Sequence, residues 1–196
     1  PDQYPSQRGF DRSFILREAG ASHFADQLPI NPAEPAHYLE DGAQVDELPR
    51  DFYSTTYYTQ KMLNFLDARD RSRPFFSYLA FTAPHDPLQV PDKWLTRYDG
   101  VFDEGPDAVR ARRITALKER GFFPEAAIPA ATLSLPPLFP GAQPAWSERS
   151  EAERKQDVRP VEIYASMIEL MDESIGRVIA YLKAEGELEN TYIVFL

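Results

Sequence analysis

Apolar positions along this chain follow three different rhythms. Phe75-Phe76-x-Tyr78-Leu79-Ala80-Phe81 is a nearly continuous apolar run bounded by Pro74 and Pro84. Such a run predicts a strand covered on both faces, as in a parallel sheet. Tyr192-Ile193-Val194-Phe195-Leu196 is β-branched and aromatic and predicts a second strand. Between them the rhythm becomes helical. The segment from about 161 to 185 places Tyr164, Ile168, Met171, Ile175, Val178, Ile179 and Leu182 in one stripe, predicted to be core, and Gly186 closes it. An earlier helix is predicted from a cap at Ser54 or Thr55 to about Ala68, with Tyr58, Met62, Phe65 and Leu66 on one face. A strand, a long helical crossover and a second strand make parallel pairing the natural expectation. The predicted fold class is α/β, part of a mostly parallel sheet flanked by helices.

Breakers and caps divide the rest. Pro91 predicts a short helix over Asp92 to Tyr98, and Pro106 a longer one over Asp107 to Arg120, with Gly121 as a left-handed cap. The latter carries Arg110, Arg112, Arg113, Lys118 and Arg120, read as a solvated face. Ser147 is the N-cap candidate of the next helix, followed by Glu148, Glu151 and Glu153 near the positive end of its dipole. Pro160 is predicted to interrupt or restart that helix. Residues 1–50 hold prolines at 1, 5, 29, 32, 35 and 49 and read as an irregular excursion of the kind that walls an active site. Residues 121–146 carry six prolines and read as an irregular insertion.

Composition narrows the function classes. Hydrophobic residues make up 43% of the 196, enough for a core. The net charge of −10 argues against a nucleic-acid partner. It would also repel an anionic substrate, so any anion site needs local positive charge. No apolar run reaches the roughly 18 residues needed to span a membrane. With no cysteine there is neither a disulfide nor a cysteine metal site. Only two core strands are legible, few for a domain of this length, and the final one stops without turn residues. The chain is therefore expected to be an internal fragment of one domain, with exposed sheet edges that favour self-association.

The candidate chemistry sits at His85. It follows the first apolar run between Pro84 and Pro87, at a strand end, where open α/β sheets place their reactive groups. It reads as a held acid or base, or alternatively as a surface-loop histidine. His23 and His37 are candidates for lining a pocket, with surface positions as the default reading. Asp51, Asp86 and Asp92 read as solvated or capping residues, and Asp172 as a cap or ion-pair residue.

Residues 74–89, Pro-Phe-Phe-x-Tyr-Leu-x-Phe-Thr-Ala-Pro-His-x-Pro-Leu-Gln, resemble a signature of the sulfatase family in its bacterial arylsulfatase branch. Glu162 to Met167, Met171-Asp172-x-x-Ile175-Gly176-Arg177-Val178, Gly186 to Phe195, and Arg8 to Phe14 agree with that family in order and spacing. The resemblance implies an alkaline-phosphatase-like fold and hydrolysis of small-molecule sulfate monoesters. It also implies a formylglycine nucleophile and a calcium ion in the full-length protein. By motif position His85 matches the histidine that binds the sulfate group and protonates the leaving oxygen. The nucleophile is made from cysteine or serine in a Cys/Ser-x-Pro-x-Arg motif. Ser134-Leu135-Pro136-Pro137-Leu138 lacks the arginine and is set aside. Neither nucleophile nor calcium ligands are identified in this chain, so it is expected to be inactive alone. The alternatives are a phosphonate or phosphate ester hydrolase of the same superfamily, and a non-catalytic truncated product.

Overall fold

The computed structural model describes residues 3–32, 36–122 and 144–196. The chain forms two compact units, one of Pro1–Asp92 with Ser166–Leu196, the other of Lys93–Ala165.

The first unit is built around a small sheet that the sequence pattern did not announce. Strands β1 (Phe14–Leu16), β2 (Tyr38–Glu40) and β3 (Ala43–Val45) pair antiparallel in the order β1-β2-β3. Residues 1–50 are thus only partly irregular. Asp41 and Gly42 join β2 to β3 with φ of 52° and 87°. Two left-handed residues make the tight hairpin whose twist matches the strands. Helix α1 (Ser54–Asp67) follows, at the position predicted. Tyr38, Leu48, Phe52 and Tyr58 form the buried cluster, with Phe14, Tyr57 and Leu79 packed against it. Lys61 on α1 reaches Glu40 of β2 at 2.6 Å and lies over the Phe14 ring of β1.

The parallel sheet expected from the two apolar runs is not formed among the described residues. Residues 74–81 are extended, and burial alternates along them: positions 75, 77, 79 and 81 turn inward while 74, 76, 78 and 80 face out. That period of two is the signature of a strand backbone. Phe76 and Tyr78 remain 78% and 73% exposed, and neither this segment nor 191–196 has a ladder partner among the described residues. Apolarity and β propensity favour an extended backbone, but a ladder needs a neighbouring strand.

In the second unit, α2 runs Pro106–Glu119 with Pro106 in its first turn. Gly121 (φ 75°) ends it as expected, its N–H bonding the Lys118 carbonyl and that of Phe122 the Leu117 carbonyl. Arg112 pairs with Glu104 at 2.8 Å. Asp92–Trp94 is a single 3-10 turn rather than the helix to Tyr98 predicted.

Helix α3 (Glu151–Ala184) is one continuous helix, which corrects two expectations. Its start is capped by Ser150, not Ser147. The Ser150 Oγ accepts from the Glu153 N–H at 3.3 Å, and the Glu153 carboxylate accepts from the Ser150 N–H at 2.7 Å. Pro160 does not break it. The Gln156 carbonyl that loses its donor lies on the exposed side with Pro160, open to water. On the opposite side Glu162 accepts from the Gly100 N–H at 2.9 Å and Arg159 reaches Asp99 at 2.9 Å. The buried line of α3 is also rotated from the predicted stripe. Ile163, Ser166, Met167, Leu170, Ser174 and Leu182 are buried, whereas Tyr164, Ile168 and Ile179 are exposed. Small serines permit close approach of the backbone, and a pattern scored on large apolar side chains passes over them.

Phe52 is 1% exposed and touches the rings of Tyr38, Tyr57 and Tyr58. Replacing it by alanine is expected to cost about 3–5 kcal/mol. Urea unfolding followed by tyrosine fluorescence would measure this, and a change under about 1 kcal/mol would remove the cluster from its central place.

Candidate functional site

His85 lies in the loop that ends the extended run 74–81. A turn places its N–H 3.1 Å from the Thr82 carbonyl. Both flanking proline bonds, Ala83–Pro84 and Asp86–Pro87, are cis. The imidazole is exposed, and its Nδ1 is 2.9 Å from the Asp86 carbonyl oxygen. A carbonyl only accepts, so Nδ1 carries a proton and Nε2 is the other ring nitrogen of the exposed imidazole.

Beneath this loop lies His23, which is 1% exposed rather than at the surface. Its Nε2 is 3.2 Å from the His85 carbonyl oxygen and its Nδ1 is 2.7 Å from the Ser54 Oγ. The carbonyl fixes the proton on Nε2, so Nδ1 accepts from the Ser54 hydroxyl. The Thr82 hydroxyl approaches the Ser54 Oγ at 3.4 Å. Burial pushes the His23 pKa below its ordinary value, opposed by the bond to the His85 carbonyl and reinforced by the charge of His85.

The far side of the loop is held at Gln89. Its Oε1 accepts from the His23 N–H at 2.8 Å and from the Ser22 Oγ at 3.1 Å. Its carbonyl accepts from the Tyr53 hydroxyl at 2.9 Å. Burial pushes the Tyr53 phenol up to about 12, so it stays a donor at any working pH. Ser54 was read from sequence as a helix cap. No side chain caps α1, and the Ser54 hydroxyl turns to His23 instead. Gln89 belongs to the sulfatase-like run but carried no assigned role. The signals that point to both residues are their places at a helix start and inside that run.

A cavity of about 330 Å3 is lined by Ser22, Leu28, Pro29, Ile30, Asp86, Pro87 and Gln89, so the residue next to His85 in the chain reaches it although His85 itself does not line it. Its lining is mainly apolar. The 20–30 segment is held closed by the Ser22 N–H to the Leu28 carbonyl, 2.7 Å. A Cβ at Gly20 would meet the Ile30 Cδ1 at 2.3 Å, so the exposed Ile30 side chain would have to turn aside.

The other candidates lie elsewhere. His37 is half-buried and its Nδ1 is 2.8 Å from Glu18. Burial alone would raise the Glu18 carboxyl, but the His37 N–H and ring and the Arg17 guanidinium hold it below its usual value. His37 thus holds Glu18 through both its N–H and its ring. Asp51, Asp86, Asp92 and Asp172 are exposed. Ser134 to Leu138 and most of the proline-rich insertion lie outside the described residues. Among the described residues no three His, Cys, Asp or Glu side chains form a group able to hold a metal ion. No described helix is long and apolar enough to cross a membrane.

Comparison with known proteins decides the family. The model of the sulfatase family matches residues 2–196. This chain belongs to the sulfatase family. It is 42% identical to an uncharacterized sulfatase of Schizosaccharomyces pombe over its whole length, covering 35% of that protein. It is 37% identical to the arylsulfatase of Klebsiella aerogenes, again over its whole length and 41% of the relative. A multifunctional alkaline phosphatase superfamily protein of Trinickia caryophylli is 28% identical over 76% of this chain and 27% of its own length. The chain thus spans between a third and about two-fifths of the two sulfatase relatives.

The depressed His23 pKa makes stability depend on pH in a definite direction. An unfolded histidine takes up a proton near pH 6.5, whereas folded His23 resists it. This contribution is full above about pH 6.5 and is lost as pH falls through the folded pKa. The slope is at most about 1.4 kcal/mol per pH unit. Urea midpoints between pH 8 and pH 5 should fall toward acid in the native chain and fall less in His23→Gln. Equal slopes would show that His23 takes up its proton as readily folded as unfolded.

Proposed function

We propose that the protein containing this chain hydrolyses sulfate monoesters of small aryl or alkyl alcohols, and that His85 acts on the ester. The observation that carries this reading is at His85 itself. Of the three histidines, the one inside the sulfatase-like run is the one whose ring is exposed and whose Nε2 is left for a substrate. The alcohol portion fits the mainly apolar cavity between Leu28–Ile30 and Asp86–Pro87.

The proton balance supports an acid role. A charged His85 holds Nδ1–H on the Asp86 carbonyl and offers Nε2–H outward. Transfer of that second proton to the leaving oxygen yields the neutral alcohol. It leaves the Nδ1–H tautomer that the Asp86 carbonyl already favours. No tautomer exchange is needed on the way. The same donor can instead hydrogen-bond a sulfate oxygen and offset its charge. A calcium ion and a formylglycine are implied for the whole protein by the family. The described residues do not fit either group, and the role given to His85 includes no step through them.

The alkaline phosphatase superfamily relative favours a second reading, hydrolysis of phosphonate or phosphate esters by the same site. Assaying the whole protein on an aryl sulfate and the matching aryl phosphonate separates the two. Faster sulfate turnover supports the first reading, and faster phosphonate turnover replaces it with the second. His85→Ala should lower kcat by about 10²–10⁴-fold. The loss should shrink as the leaving phenol becomes more acidic, because a better leaving group needs less protonation. A uniform loss across phenols would leave only sulfate binding.

The exposed runs 74–81 and 191–196 should make the chain self-associate when produced alone. Light scattering that stays monomeric at high concentration would refute this.

A further inference from the structure

We infer that His23 is a positioning residue for His85, setting the orientation of the His85 ring through the peptide plane between residues 85 and 86. This rests on the reading of His85 as the group that acts on the ester.

The argument follows the hydrogen bonds. The His23 Nε2–H holds the carbonyl of residue 85, and the next carbonyl, that of Asp86, holds the His85 Nδ1–H. Those two carbonyls belong to adjacent peptide units. Turning the first rotates the backbone that carries the second, and with it the ring. His23 is in turn fixed on every polar atom it has. The Ser54 hydroxyl donates to Nδ1 at 2.7 Å, the His23 N–H donates to Gln89 Oε1 at 2.8 Å, and the His23 carbonyl accepts from the Ser54 N–H at 2.9 Å. One buried residue thus joins the start of α1 to two points of the loop that carries His85.

An apolar side chain could fill this space equally well, so packing alone does not require a histidine. A donor on one ring atom and an acceptor on the other are what the site uses. Neutral imidazole supplies both in a fixed geometry. A protonated His23 would turn a second donor toward the Ser54 hydroxyl, which would have to reverse its own proton and give up its role as donor. The low-proton-affinity environment and the hydrogen-bond pattern therefore agree on the neutral Nε2–H form.

The test uses the whole protein with His23→Gln, His23→Ala and Ser54→Ala, assayed on an aryl sulfate. Ring tautomers are read on the same samples by nitrogen NMR of the histidines. Wild type should show His23 as Nε2–H and His85 as Nδ1–H. His23→Ala should lower kcat roughly ten- to a hundred-fold, because small misplacements of an acting group carry losses of that order. KM should change less than about three-fold, and His85 should become a tautomer mixture. His23→Gln, whose amide keeps a donor, should recover part of both. Ser54→Ala keeps the ring in place and should produce a smaller loss in the same direction, so the inference stays open to test if His23→Ala fails to fold. Folded variants with wild-type kcat and an unchanged His85 tautomer overturn it. If wild type hydrolyses neither sulfate nor phosphonate, the reading of His85 falls and the catalytic part of this inference falls with it. The tautomer readout still decides whether His23 sets the His85 ring.

Discussion

The 2.7 Å bond between the Ser54 hydroxyl and the His23 ring joins segments that are far apart in sequence. A buried imidazole is tolerated only when both nitrogens are satisfied, since each polar atom left unpaired costs about 1–3 kcal/mol. That requirement dictates what surrounds it. Ser54 must present a hydroxyl inward at the first turn of α1, and the His85 carbonyl must turn back toward the core. The helix gives something up in return. A side-chain cap is worth about 1 kcal/mol, and α1 begins without one. Tyr53, the residue at the cap position, instead extends its phenol to the Gln89 carbonyl. Two neighbouring residues at the start of the helix are directed to the loop that carries His85 and to the histidine beneath it.

How much of this was legible depends on whether the signal was local. The bounds of α2 follow from Pro106 and Gly121, which act within a few residues, and α1 runs where its apolar face places it although no side chain caps it. The hairpin at Asp41–Gly42 was equally local and was present as an Asp-Gly pair, but its flanking strands are three residues long and carry no readable alternation. The rest depends on tertiary context. Beside Pro160, Glu162 and Arg159 of α3 are held by Gly100 and Asp99 from outside the helix, pairings that no window of the sequence shows. Ser166 and Ser174 lie on the buried face of α3, where a pattern of large apolar side chains does not mark them.

The site divides along the same line. His85 was visible because prolines and the family-like run mark it, whereas the roles of His23, Ser54 and Gln89 arise from separations of 31 to 66 residues. Pattern alone placed His23 at the surface by default. Its burial follows from the Phe24–Tyr53 bridge, which draws the 21–30 segment onto the start of α1. Polar residues buried for function are where composition-based expectation fails, because the pairing that permits burial is nonlocal.

Charge bears on what such a site can accept. The chain carries −10, and a field of that sign opposes an anionic ester at long range. Many of its arginines answer carboxylates of the chain itself: Arg12 to Asp41, Arg17 to Glu18, Arg69 to Glu187, Arg159 to Asp99. Screening confines unpaired fields to about 8 Å at physiological ionic strength, so what decides recognition is the immediate surroundings of His85. There the cavity is mainly apolar and its one acidic lining residue is Asp86. A second sulfate or a carboxylate on the alcohol would meet that carboxylate at close range, whereas an uncharged ring would meet Leu28 and Ile30. Under the proposed reading, an uncharged alcohol portion is thus favoured by Leu28 and Ile30, and an anionic one is opposed by the same residue whose carbonyl holds the His85 ring.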